Sequence, residues 1–123
     1  MDEKVCVEIT REGPVAVVEF KAPSISSIEG VNTISEQINK FIQEHHPRKM
    51  IIDFGGVKFF SSQVLGILLD TRAKLEKYNG ELVISAIVPH LHRVFRITNL
   101  DKVFRFFPDK ESAVEVMCSD GVD

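Results

Sequence analysis

The 123 residues hold only two cysteines, Cys6 and Cys118, placed near opposite ends of the chain. Two lone cysteines without close spacing give neither a disulfide framework nor a thiolate metal site, and point to free thiols in a reducing compartment. Charge of one sign is also lacking. Against 18 Asp and Glu stand 15 Lys and Arg, a net charge of -3, so the basic footprint of a direct nucleic-acid binder is missing. No apolar run approaches the length of a membrane span. The opening "MDEKVCVEIT" is acidic and has neither the positive flank nor the apolar core of a secretory signal. A cytoplasmic location is therefore expected. Linkers, internal repeats and low-complexity tracts are absent too, so residues 1–123 read as a single domain, long enough to bury a core without disulfides or a structural metal.

What is present is an alternation of periods. "VCVEITREG" places Val5, Val7 and Ile9 at every second position, and "VAVVEF" follows after Gly13 and Pro14, which predicts a strand pair joined by a short turn. After Pro23 the spacing changes to threes and fours at Val31, Ile34, Ile38, Phe41 and His45, with Ile42 beside them. This is one face of a helix, with Ser26 and Glu29 offering a capping box and His46–Pro47 closing it. "MIIDF" is a near-continuous apolar run before Gly55 and Gly56, as in a strand covered on both faces.

A second helix carries Val64, Leu65, Leu68 and Leu75 inward and ends at Asn79–Gly80, with the glycine suited to a left-handed cap. "ELVISAIV" is a further buried strand. Pro89 opens a short helix with Leu91, Val94 and Phe95 inward and His90, Arg93 and Arg96 outside. "KVFRFF" reads as a last strand, and Asp109 caps a final helix, "KESAVEVM". The fold class is α/β: a mostly parallel central sheet with an N-terminal strand pair and four helices, linked by right-handed crossovers.

In such a sheet, ligands and partners meet the loops at the carboxyl ends of the strands. Residues 54–63 form one of these loops. Ser61 and Ser62 stand where the first unpaired amides of a helix need acceptors, and either hydroxyl can cap them. A phosphate on Ser61 would meet the same amides and the positive end of the helix dipole, so Ser61 is also the candidate phosphoacceptor of a partner switch. Phe59 and Phe60 suit packing of the core or loop, and beside a switch they also suit a partner surface.

No GxSxG surrounds either serine, which removes the usual setting of a serine hydrolase. "GVKFFSSQ" lacks the second glycine and the lysine of a phosphate loop. Asp53, at a strand end without an acidic pair after the first strand, is expected to hydrogen-bond loop amides. His45 with His46 and His90 with His92 point to different sides of their helices, so no metal and no cofactor is called for. The exposed cluster His90, His92, Arg93 and Arg96 reads as a solvated face or as a mild basic patch for an acidic partner.

"MIIDFGGVKFFSSQVLGILL", followed by "NGELVISAIVPHLHRVFRITNLDKVFRFFPDKESAV", resembles the STAS domain of bacterial anti-sigma factor antagonists over nearly the whole chain. The resemblance implies a non-enzymatic protein that binds an anti-sigma factor, often a serine kinase, and so frees a sigma factor for transcription. In that family's Asp-Ser-Ser-Gly pattern the first serine is phosphorylated and the binding ends. That serine corresponds to Ser61, and Phe59, Phe60, Ser62 and Gln63 become the surrounding partner-binding residues. Phe60 stands in place of the aspartate and Gln63 in place of the glycine. These two departures leave an alternative, a non-phosphorylated STAS module built permanently into a lipid transport or stress-signalling complex.

Overall fold

The computed structural model describes residues 7–120, so Val5 and Cys6 of the expected first strand lie outside the described residues. The period-two segments form β1 (Val7–Glu12) and β2 (Val15–Phe20), an antiparallel hairpin turning at Gly13 with φ +63°. A two-residue strand, β3 (Ser24–Ile25), precedes helix α1 (Ile28–His45) and strand β4 (Lys49–Asp53). A second two-residue strand, β5 (Phe59–Phe60), leads into helix α2 (Gln63–Glu76) and strand β6 (Glu81–Ser85). Helix α3 (Pro89–Ile97), a 3-10 turn at Leu100–Lys102, strand β7 (Arg105–Phe107) and helix α4 (Lys110–Asp120) complete the described residues.

The main sheet has the order β1-β2-β4-β6-β7, parallel at every pairing except β1 with β2. Each crossover moves one step the same way across the sheet, and their helices α1, α2 and α3 pack into one shared core. That core takes Ala16, Val18 and Phe20 of β2, Met50 and Ile52 of β4, and Leu82 and Ile84 of β6. The residues in between, Val15, Val17, Ile51 and Val83, pack on Ala113 and Met117 of α4 on the opposite face. Both faces of the central strands are therefore covered, which is why "MIIDF" and "ELVIS" read as unbroken apolar runs.

Several local expectations change. The cap of α1 is Ser27, whose Oγ accepts from the Gly30 amide at 2.9 Å; Ser26 is one residue too early, and Glu29 then falls at the second helical position, where no capping box forms. The buried stripe of α1 ends at Ile42, while His45 is exposed and stacks on Phe41 at 4.3 Å. After α2 the left-handed residue is Asn79 (φ +66°), a conformation asparagine tolerates. Gly80 is required for a different reason, because a Cβ there would lie 3.0 Å from the Leu75 carbonyl oxygen. Only Arg105–Phe107 of "KVFRFF" is strand, since the 3-10 turn consumes the residues before it. Val94 is half-buried at the margin of the core. No helix among the described residues is long and apolar enough to cross a membrane.

Helix α4 is fastened at its start. Asp109 accepts from the Ser112 amide at 2.7 Å, and this bond holds its carboxyl below the ordinary carboxylate range. Lys110 reaches Glu19 on β2 at 3.0 Å and holds that carboxyl low, with Lys21 at 3.2 Å adding to the effect; Glu19 in turn raises Lys110. A depressed carboxyl contributes stability above its unfolded pKa and loses it as pH falls through the folded value; a raised ammonium loses its contribution as pH rises through the folded value. Both side chains are partly solvated, so the pair is worth about 0.5–1 kcal/mol. Glu19→Gln is expected to lower stability by that amount at neutral pH, with the gap from wild type closing in acid and again in strong alkali, as measured by urea denaturation across a pH series.

Candidate functional site

The loop after β4 is built from hydrogen bonds that the local sequence supplies only in part. Phe54 N–H donates to the Ser85 carbonyl at 2.9 Å, which carries the sheet pairing one step past Asp53. Phe54–Val57 then closes a turn through Val57 N–H to the Phe54 carbonyl at 2.9 Å, with Gly56 at φ +89°, a conformation glycine supplies freely. The amides of Lys58 and Phe59 donate to the Pro23 carbonyl at 2.7 and 3.2 Å, and Ser61 N–H donates to the Ile25 carbonyl at 2.9 Å. These bonds make β3 and β5 a parallel two-stranded ladder that seats the loop against the segment before α1. From the other side, His90 Nε2–H at the start of α3 donates to the Lys58 carbonyl at 2.9 Å.

Strand alternation across β5 then separates the two phenylalanines. Phe60 turns inward, 5.5 Å from the Phe54 ring and 6.1 Å from the Phe95 ring, and belongs to the core rather than to a partner-binding surface. Phe59 turns outward and is 51% exposed, although its apolar character also suited it to packing. Ser62 and Gln63 are exposed beside it. Of the five candidate contact residues, Phe59, Ser62 and Gln63 share the surface, Ser61 lies half-buried between them, and Phe60 is withdrawn.

The expected serine cap does not form. Ser62 occupies the N-cap position with helical backbone angles and no capping bond from its side chain. The amides of Val64 and Leu65 are instead taken by the backbone carbonyls of Ser61 and Ser62, each at 3.0 Å. A helical N-cap closes the first turn with main-chain bonds to the third residue back, so the two amides that the Ser62 hydroxyl would cap are already taken. Ser61 Oγ is buried with no hydrogen-bond partner, the one such side-chain atom among the described residues. Leaving a buried hydroxyl unpaired costs about 1–3 kcal/mol, so its position calls for a reason.

Asp53 is nearly buried, and its Oδ1 accepts from the Ser85 hydroxyl at 2.7 Å. Its partner is thus the residue beside it in the sheet, because register pairs Asp53 with Ser85, and loop amides are not needed. Gly55 is tight against the same carboxylate: a Cβ there would stand 3.2 Å from Asp53 Oδ2. Arg93 and Arg96 lie exposed on α3, and His92 packs edge-on to Phe106 at 4.4 Å, so the basic patch keeps His90, Arg93 and Arg96 while His92 serves packing. The link from His90 to Lys58 joins that patch to the Ser61 loop, an adjacency no spacing in the sequence encodes. Among the described residues no group of three or more His, Cys, Asp or Glu is placed to hold a metal ion.

Comparison with known proteins places this geometry in context. A family model described as the STAS domain matches residues 7–113. BtrV of Bordetella bronchiseptica, a candidate anti-sigma factor antagonist, is 30% identical over 66 residues, which cover 54% of this chain and 57% of BtrV. The match thus spans little more than half of that relative's length. The structure of an anti-sigma-factor antagonist (STAS) domain protein from Planctomyces limnophilus aligns with a TM-score of 0.84 at 26% identity, covering 92% of this chain and 98% of the other. The Bacillus cell fate determinant SpoIIAA in its phosphorylated form aligns with a TM-score of 0.71 at 19% identity, covering 90% and 98%, a likeness of fold.

Two substitutions separate the roles of the loop residues. Ser61→Ala is expected to leave the melting temperature unchanged or higher, whereas a capping serine would lose about 1 kcal/mol. Phe60→Asp, which would restore the family's acidic residue, is expected to destabilise by about 3–5 kcal/mol because it deletes a core ring and buries an unpaired carboxylate. Thermal and urea denaturation of both variants measures each effect.

Proposed function

Because the chain belongs to the STAS domain family, we propose that it is an anti-sigma factor antagonist, a binding protein rather than an enzyme. It docks on an anti-sigma factor in the cytoplasm and frees a sigma factor, and phosphorylation of Ser61 ends the contact. The observation that carries this reading is the spare hydroxyl of Ser61: among the described residues it has no hydrogen-bond partner, and it sits at the start of α2 beside the exposed ring of Phe59.

A phosphate at that point finds ready partners. The amides of Ser62 and Gln63 have no hydrogen-bond partner among the described residues, and they open α2, where the helix dipole favours an anion. The added charge of about -1.5 to -2 is therefore accommodated by the protein itself. For a partner seated on Phe59 the same charge is a desolvation cost at the centre of the contact, so binding and phosphorylation oppose one another. An acidic residue at position 60 is not needed to hold the loop, since the main-chain carbonyls of Pro23 and Ile25 and the imidazole of His90 already do so.

The rival reading is a non-phosphorylated STAS module held in a lipid transport or stress-signalling complex. The burial of Ser61 Oγ favours it, because a sealed hydroxyl is a poor kinase substrate. Incubation with the cognate anti-sigma kinase and ATP, followed by intact-mass measurement, tests the first reading: one added phosphate is expected, and none on Ser61→Ala. Absence of phosphate, or its persistence on Ser61→Ala, would sink the switch. Capture from native lysate followed by mass spectrometry separates the two partners, an anti-sigma factor supporting the first reading and a transport ATPase the second.

A further inference from the structure

Helix α3 carries charge that the rest of the chain leaves unmatched. On α1 and α2 cations are paired within their own helix, Lys40 with Glu44, Arg72 with Glu76 and Lys74 with Asp70. The sequence of α3, PHLHRVFRI, holds no acid. Arg93 and Arg96 stand exposed on its outer side, and neither has an ion-pair partner among the described residues. From Ala86 to Pro108 the single acidic residue is Asp101, against Arg93, Arg96, Lys102 and Arg105, and Arg105 is already held by Glu81.

Two further cations extend this surface past the ends of the helix. Lys58 is exposed and unpaired among the described residues, and its carbonyl accepts from His90 Nε2–H, which fixes that residue beside the start of α3. Lys102 is exposed in the 3-10 turn that follows the helix. Positions 90, 93 and 97 recur at helical spacing and Arg96 is three on from Arg93, so His90, Arg93, Arg96 and Ile97 share the outer side, all exposed. Ile97 is 73% exposed, a large aliphatic side chain standing among arginines. A lone exposed aliphatic is ordinary on a protein surface, but one set in a cluster of unmatched cations is the combination that an anionic interface takes up.

We infer that the outer side of α3, with Lys58 and Lys102 at its ends, docks this chain on an anionic phospholipid bilayer. The guanidinium and ammonium heads meet the lipid phosphates, and Ile97 enters the layer between them. Leu91 and Phe95 keep the inner side of α3 in the core, so the helix attaches as part of the folded domain. A convex helix side matches a plane of headgroups, which meets the four cations at once, whereas an acidic protein must arrange matching carboxylates around an aliphatic pocket. The chain as a whole carries a net charge of -3, so the attraction is confined to this side and is screened by salt. With one aliphatic side chain inserted, the binding is weak and reversible. It does not rest on the reading of the chain as an anti-sigma factor antagonist.

The test is cosedimentation of the full chain with vesicles of phosphatidylglycerol and phosphatidylcholine in equal parts, against phosphatidylcholine alone. Binding is expected to the anionic vesicles only, and to vanish at about 0.5 M salt. Arg93→Gln combined with Arg96→Gln is expected to weaken it about 25-fold, at about fivefold per cation, and Ile97→Ser about fivefold. Both variants replace exposed side chains and are expected to melt within about 2 °C of wild type. Arg48→Gln combined with Lys77→Gln removes the same charge from two exposed positions elsewhere, and is expected to change binding by less than about twofold. Absence of wild-type binding, an equal loss from the Arg48 and Lys77 pair, or unchanged binding by Ile97→Ser overturns the inference. So does capture of the wild type by an immobilised polyglutamate peptide with none by the vesicles, since an acidic protein would then be the occupant. The functional reading stands under each of these outcomes.

Discussion

The burial of Phe60 between Phe54 and Phe95 is the contact on which the arrangement of the candidate site depends. Ring follows ring across the fold: Phe20 to Phe54 at 5.1 Å, Phe54 to Phe60 at 5.5 Å, Phe60 to Phe95 at 6.1 Å, and Phe95 to Phe104 and Phe106 at 6.0 and 5.2 Å. This aromatic line joins β2, the end of β4, β5, α3 and β7. Each tilted or edge-on pair adds about 0.5–1.5 kcal/mol beyond the area it buries, so the loop is anchored by its own side chain. With Phe60 inward, strand geometry turns Phe59 outward and brings Ser61 to the start of α2.

The main-chain bonds around the loop follow from that anchor. Once Phe60 is seated, the amides of Lys58, Phe59 and Ser61 face the carbonyls of Pro23 and Ile25, and the Lys58 carbonyl faces His90. The loop thus needs no polar side chain of its own to hold its shape, and neither serine hydroxyl makes a hydrogen bond that holds it. Phe60, at the position where the resemblance places an aspartate, holds the loop by aromatic contact with Phe54 and Phe95. The exposed surface beside Ser61 is then made of what the core leaves outside: Phe59, Ser62 and Gln63.

The large elements were legible because burial imposes a period. β2, β4 and β6 are covered on both faces and read as apolar runs; α1 and α2 bury one stripe each and read in threes and fours. Shorter features escaped that logic. β3 and β5 have two residues each, too few to show any period, and they exist because the loop after β4 lies against the segment before α1. The caps escaped for a related reason: Ser26 and Ser27, like Ser61 and Ser62, are chemically equivalent neighbours, and only backbone angles choose between them. Asn79 in place of Gly80 is the same kind of near miss, where two adjacent residues can both end a helix and packing against Leu75 decides their roles.

The sequence by itself determined the α/β class, the order of the principal strands and helices, the address of the serine pair at the mouth of α2, and the resemblance to STAS domains. All of these follow from local periodicity or from residues adjacent in the chain. Only the tertiary structure decided that Phe60 is core and Phe59 is surface, that Ser61 Oγ is left without a partner, that Asp53 answers to Ser85, and that the basic start of α3 leans on the Ser61 loop. Each of those outcomes depends on which of several equivalent groups meets a neighbour 30 or so residues away, and no local pattern records that meeting.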